Sequence, residues 1–182
     1  LRLVPLTAQS KMGKFLEIQL TVLPEDHVAE LKLIALEELL DPGQQDKLLT
    51  QLADLGIKEL PKQADEADFD SPISDDQLTD FMDRLDAHDA ACTIYLPVEF
   101  DASFELDGYT VGSIQTLLDA LEEIGEELDI DSDGFADEEE VDEEDEEGAL
   151  AVFEQQLEFA WRVFTQAANA CATGQLPLHV ID

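Results

Sequence analysis

The chain has 182 residues, an apolar fraction of 45%, 45 Asp and Glu against nine Lys and Arg, and a net charge of −36. That length and apolar content support one globular domain with a real core and exclude a chain disordered throughout. The charge excludes phosphate backbones and anionic lipid as ligands, because the field repels both, and favours encounter with cationic surfaces or metal ions.

No apolar run approaches the roughly 18–20 residues that span a bilayer. The opening Leu1-Arg-Leu-Val-Pro-Leu is too short and too weakly apolar for a secretory segment. A cytoplasmic protein is therefore expected, with no membrane contact. Residues 1–12 read as a tag or a disordered N-terminus, with Met12 a candidate start. Residues 13–182 read as a single domain with an acidic mobile insertion at about 129–148.

Taken in chain order, Phe15 to Leu23 alternates apolar and polar residues, as a half-buried strand does. Pro24, Glu25 and Asp26 suit the first turn of a helix with the stripe Val28, Leu31, Ala35 and Leu39, ended by Asp41-Pro42-Gly43. A second, short helix carries Leu48, Leu49, Leu52 and Leu55, with Gly56 as its left-handed terminator. Residues 61–76 have few apolar anchors and read as a surface loop. Ser74 and Gln77 have capping-box spacing and open a helix bearing Leu78, Phe81, Met82, Leu85 and Cys92.

Thr93 to Phe100 alternates as a strand, and Phe104 to Val111 follows as another, with Asp107-Gly108 a tight turn or a bulge inside it. Ser113 caps a helix whose stripe is Ile114, Leu117, Leu118, Leu121, Ile124 and Leu128. Ala149 to Ala172 makes a long helix central to the core, Gly174 stops it, and Leu176 to Ile181 forms a final strand. Cys92 and Cys171 lie on apolar stripes and are expected to be buried free thiols. The fold class is thus α+β: an antiparallel sheet of about four strands with helices packed on one face. The element order resembles an elaborated βαββαβ, the ferredoxin-like arrangement.

Charge is distributed unevenly. Between Arg84 and Arg162 there is no Lys or Arg, while 26 acids fall in those 77 residues, 17 of them within 122–147. Asp129, Asp131, Asp133, Phe135, Asp137 and Glu140 fit the D-x-D-x-D-G-x5-E pattern of an EF-hand calcium loop. Asp129, Asp131 and Asp133 would supply side-chain oxygens and Phe135 a carbonyl. Asp137 would act through water and Glu140 bidentately. Calcium is the cofactor that this resemblance implies. Position 8 is Ala136, no second hand occurs, and Glu143, Glu144 and Asp145 stand where an exit helix would carry apolar residues. The same segment also reads as an acidic turn that holds cations only loosely.

The run Asp137 to Glu147 holds ten acids in eleven residues, among them Glu138, Glu139, Asp142, Glu143, Glu144, Asp145, Glu146 and Glu147. As a helix it would carry a charge every ~1.6 Å, close to the ~1.7 Å of duplex DNA. These residues are the candidate partner-binding surface. A solvated acidic loop is the alternative, since like charges at i,i+3 and i,i+4 oppose helix formation.

No G-x-S-x-G, P-loop, G-x-G-x-x-G or H-E-x-x-H occurs, so a non-enzyme is expected. His88 and Cys92, one helical turn apart, lack a third metal ligand. The function read from the residues is a non-catalytic acidic binding protein that covers a basic protein partner, as an inhibitor, immunity-type factor or DNA mimic. The alternatives are a calcium-responsive module at 129–140, and a halophile-type protein whose charge serves solubility. The oligomeric state is left open.

Overall fold

The computed structural model describes residues 28–64, 68–130 and 146–181. Their core element is a six-stranded mixed sheet in the order β2-β1-β6-β3-β5-β4. The strands are β1 (Val28–Leu33), β2 (Asp70–Ser74), β3 (Ile94–Leu96), β4 (Phe104–Leu106), β5 (Tyr109–Ser113) and β6 (Leu178–Ile181). The helices are α1 (Leu36–Leu39), α2 (Pro42–Asp54), α3 (Asp75–Ala87), α4 (Ile114–Glu127) and α5 (Glu146–Gly174). The α+β class holds. The four-stranded antiparallel sheet does not: there are six strands, and β3 runs parallel to β5. The reason is the β4–β5 hairpin, which enters with β5 on the inside and β4 at the edge.

Two strands went unread in the sequence. In β1, Ala29, Leu31 and Leu33 are buried while Glu30 and Lys32 point away, a period of two in place of the expected helix. β2 falls in the expected loop. It is an edge strand with one buried apolar residue, Ile73, and it tolerates Pro72 because an edge does not need every N–H. Asp41-Pro42 begins a helix instead of ending one. The Asp41 carboxylate accepts from the Gln44 N–H at 2.9 Å, the Gln44 side chain accepts from the Asp41 N–H at 3.0 Å, and Pro42 takes the first position.

Other expectations hold. Ser74 and Gln77 form the capping box of α3, and Ser113 caps α4 by accepting from the Gln115 N–H. Asp107 and Gly108 have φ of 47° and 98°, the two left-handed residues of a primed hairpin turn. At the end of α2, Gly56 takes φ 86° as expected. The left-handed residue after α5 is Gln175, not Gly174.

Helices lie on both faces of the sheet, not on one. On the larger side α3, α4 and α5 pack on Leu31, Tyr95, Leu178 and their neighbours, around the paired rings of Phe81 and Phe164, 4.8 Å apart. On the other side α2 places Leu48 and Leu52 on Ile94, Leu96, Leu106 and Val111. β3 is therefore buried on both faces. Of the expected α2 stripe, Leu49 and Leu55 are instead 48% and 46% exposed. Burial pushes the Cys92 thiol up to about 11 and the Cys171 thiol up to about 12. At pH 8 neither should react with an aromatic disulfide reagent in the native protein. Both should titrate once denaturant is added.

His179 on β6 faces the edge of the Tyr109 ring, 5.8 Å between centroids, and lies across from Lys32 on β1. Burial holds its imidazole below the ordinary value. The folded state thus prefers the neutral ring, so this contribution is complete above the unfolded value of about 6.5 and is lost as pH falls below it. Between pH 7.5 and 5.5 the urea midpoint should fall further in the native protein than in His179→Gln. Protonation of carboxylates acts on both proteins alike, so the difference isolates His179.

Among the described residues no helix is long and apolar enough to cross a membrane. The strand expected at Phe15–Leu23, the helix start at Pro24 and the segment 1–12 lie outside the described residues.

Candidate functional site

The outer surface of the helical layer is where described carboxylates concentrate. α3 turns Leu78, Phe81 and Leu85 inward, which leaves Asp76, Asp80 and Asp83 at i, i+4 and i+7 along its outer ridge, with Asp86 beside them. α4 buries Ile114, Leu117, Leu121 and Ile124, and presents Asp119, Glu122, Glu123, Glu126 and Glu127 to solvent. The two rows are fixed by the same hydrophobic periodicity that builds the core.

Side chains lock the rows together. His88 just beyond α3 sets Nδ1 2.9 Å from Glu123 Oε2 and Nε2 3.5 Å from Glu127 Oε1. Arg84 Nη1 lies 3.3 Å from Glu127 Oε2. The Arg84 pair faces solvent and contributes little stability, while His88 is largely buried; together they tie α3 to α4 at the end of the two rows, whose packing the common core supports. From the other side α4 rests on α5, where the Trp161 indole N–H donates to the Leu121 carbonyl at 2.7 Å. Gly125 permits this approach: a Cβ there would lie 3.0 Å from the indole ring.

A separate acidic pair lies on the sheet. Glu30 on β1 is raised above the ordinary carboxylate value, chiefly by its hydrogen bond with Asp70 on β2, then by desolvation. Lys32 partly offsets this, 3.7 Å from Asp70.

The expected calcium ligands are almost entirely out of view. Asp131, Asp133, Phe135, Asp137 and Glu140 lie outside the described residues, as do Glu138, Glu139, Asp142, Glu143, Glu144 and Asp145. Glu146 and Glu147 form the first turn of α5, and their side chains are outside the description too. Asp129 alone is placed. With φ 54° it ends α4: its N–H donates to the Glu126 carbonyl at 3.2 Å and the Ile130 N–H to the Gly125 carbonyl at 3.0 Å. This closing pattern gives Asp129 a backbone role that needs no cation.

His88 and Cys92 do not share a site. α3 ends at Ala87, His88 engages the α4 carboxylates, and Cys92 is buried against Gly112. Among the described residues no group of three His, Cys, Asp or Glu is placed to hold a metal ion. The sequence reading missed the α3 and α4 rows as a surface. The signal was present, as acids at i, i+4 and i+7 opposite each apolar stripe.

A family model described as Putative DNA-mimic protein matches residues 48–179, well over half of the chain. That segment contains 36 of the 45 acids and four of the nine Lys and Arg. No curated protein and no solved structure matches the chain. The match corrects the partner expected from charge. A basic surface alone does not define that partner, because mimicry of DNA defines it by its ability to bind DNA.

Proposed function

The chain belongs to the Putative DNA-mimic protein family, and from that premise we propose that it is a non-catalytic acidic binder which occupies the duplex-binding surface of a DNA-binding protein. The observation that carries this reading is the charge spacing of α3 and α4. Five acids between Asp75 and Asp86 give about one charge per 3.6 Å of helix, and five between Asp119 and Glu127 about one per 2.7 Å. A single DNA strand carries one per ~3.4 Å. Two such helices side by side offer a protein the linear charge of two strands. Because the rows are braced by Arg84, His88 and Trp161, the charges are held in place before the partner arrives, and less ordering entropy is lost on binding.

The acidic run 137–147 would add to the same field on charge alone. Catalysis has no place in this reading, since the matched family is one of mimics and binding itself displaces the duplex.

The test is displacement. The full chain, immobilised and exposed to a lysate of its source cells, should retain proteins that duplex DNA then elutes in proportion to its concentration. Retention that excess duplex leaves unchanged would overturn the proposal.

A further inference from the structure

Where the C-terminal end of α4 meets the first half of α5, a groove of about 760 Å³ opens beside the acid rows. Leu128, Ile130, Phe153 and Leu157 form its apolar lining, and Glu127, Glu154 and Glu158 its acidic one. Leu157 is buried as the floor, whereas Phe153 is 41% exposed, a large aromatic side chain left open to solvent on a highly charged protein. The core does not require Phe153, because Leu157, Ala160 and Phe164 already fill the inner stripe of this helix. Phe153 extends that stripe one turn beyond Leu157, to the point where it opens to solvent among the described residues.

The groove already accommodates one guanidinium. Arg84 lines it and pairs with Glu127 at 3.3 Å, which shows that an arginine head is satisfied at this wall. The opposite wall repeats the chemistry, an exposed Glu154 adjoining the exposed Phe153, with no cation among the ion pairs of the described residues assigned to Glu154. A carboxylate beside an aromatic face binds a planar cation twice over, by charge-assisted hydrogen bonds at its edge and by cation–π attraction at its face. Lysine does this less well, because a strongly hydrated ammonium lacks the flat surface that stacks on a ring.

We propose that this groove receives an arginine side chain of the DNA-binding partner, its guanidinium between Phe153 and Glu154 and its methylenes on Leu128 and Ile130. This deepens the mimic reading and rests on it for the identity of the partner. The acid rows imitate the phosphates that such a protein contacts. The groove adds a contact that DNA itself does not offer, and so lets the partner prefer the mimic over the duplex. Arginine suits this role because it is a common phosphate-contacting residue of DNA-binding surfaces.

The experiment is aromatic and methyl NMR of the full chain titrated with the capped pentapeptide Gly-Gly-Arg-Gly-Gly and with its lysine and citrulline counterparts. The arginine peptide should shift the Phe153 ring and the Leu128 and Ile130 methyls saturably, and bind several-fold more tightly than the lysine peptide. Citrulline, which has the shape without the charge, should leave them unmoved. Phe153→Leu keeps an apolar side chain at an exposed position and should weaken arginine binding about two- to five-fold. Glu154→Gln, an independent change that retains the ring, should weaken it comparably.

Equal affinity for the lysine peptide, an unmoved Phe153 ring, or undiminished binding in both variants would overturn the proposal. The peptide assay does not involve the physiological partner, so the two readings fail separately. Loss of duplex displacement with peptide binding intact overturns the mimic function and leaves the arginine receptor standing. Absent peptide binding with displacement intact removes the groove alone.

Discussion

Replacing Asp76, Asp80 and Asp83 by Asn together with Glu122 and Glu126 by Gln should weaken the complex with the duplex-binding partner about 100-fold or more, with the fold intact. Each of these side chains lies on the outward ridge of α3 or α4, away from the buried stripes. A solvent-accessible charge pair contributes roughly 0.2–1 kcal/mol. Five of them acting on one fixed array sum to about 3–5 kcal/mol at the upper end of that range, or roughly two to three and a half orders of magnitude in Kd. The dependence of log Kd on log salt should flatten by about one for each phosphate-like contact removed.

Stability should not fall with affinity. The change removes like-charge pairs Asp76–Asp80, Asp80–Asp83 and Glu122–Glu126, each worth roughly 0.2–0.5 kcal/mol of repulsion. The control carries the same charge change elsewhere, at Glu37, Glu38, Asp46, Asp54 and Glu59, all exposed on the α1–α2 side of the sheet. Calorimetric titration of both variants at several salt concentrations decides the matter. If the control loses as much affinity, the field of the whole chain binds the partner and the two helices are not the site.

Tyr95→Phe should destabilise the protein by about 2–4 kcal/mol and lower its melting temperature by roughly 5–15 °C. Tyr95 sits on β3, the strand buried on both faces, and is itself 1% exposed. Its hydroxyl accepts from the Cys92 N–H at 3.0 Å and donates to the Ala90 carbonyl at 2.8 Å. Those two groups belong to the connection that carries the chain from α3 into the sheet. Phe fills the same space and leaves both backbone groups buried without their partner, so the cost is desolvation and not packing. Burial also holds the phenol proton on well above its ordinary pH range, so the pair of bonds persists across all neutral and mildly alkaline conditions.

A thermal melt measures the loss, and the Cys92 thiol reports its location. In the variant Cys92 should react with an aromatic disulfide reagent faster than Cys171, because the loosened segment is its own. A melting temperature within two degrees of the native one would show that the hydroxyl network contributes little.

The helices of the inner layer were legible because an amphipathic helix writes its buried face into the sequence every three or four residues. Leu78, Phe81 and Leu85 in α3, and Ile114, Leu117, Leu121 and Ile124 in α4, are buried as their spacing implied. Caps were legible for the same local reason: Ser74 with Gln77 needs only four consecutive residues to declare itself. β1 was not legible, since Val28, Leu31 and Ala35 also satisfy helical spacing, and six residues are too few to separate the two periods. β2 offers one apolar anchor, and its pairing is to β1, about forty residues earlier in the chain.

The site divides in the same way. The sequence by itself determined that the chain is highly acidic, that 26 acids stand between Arg84 and Arg162 without a Lys or Arg, and that α3 and α4 each turn carboxylates outward. These follow from composition and from a period of 3.6, both local properties. It drew attention to 129–147 because charge there is dense along the chain. Only the tertiary structure decided that two rows separated by some forty residues share one face, braced by His88 on Glu123 and Arg84 on Glu127. It also decided that the sheet is mixed and covered on both sides, and that Phe153 and Glu154 line one groove with Arg84 and Glu127. Adjacency between distant segments depends on which apolar stripes meet in the core. The pattern of a single segment records that it has such a stripe, but not which other stripe it will meet.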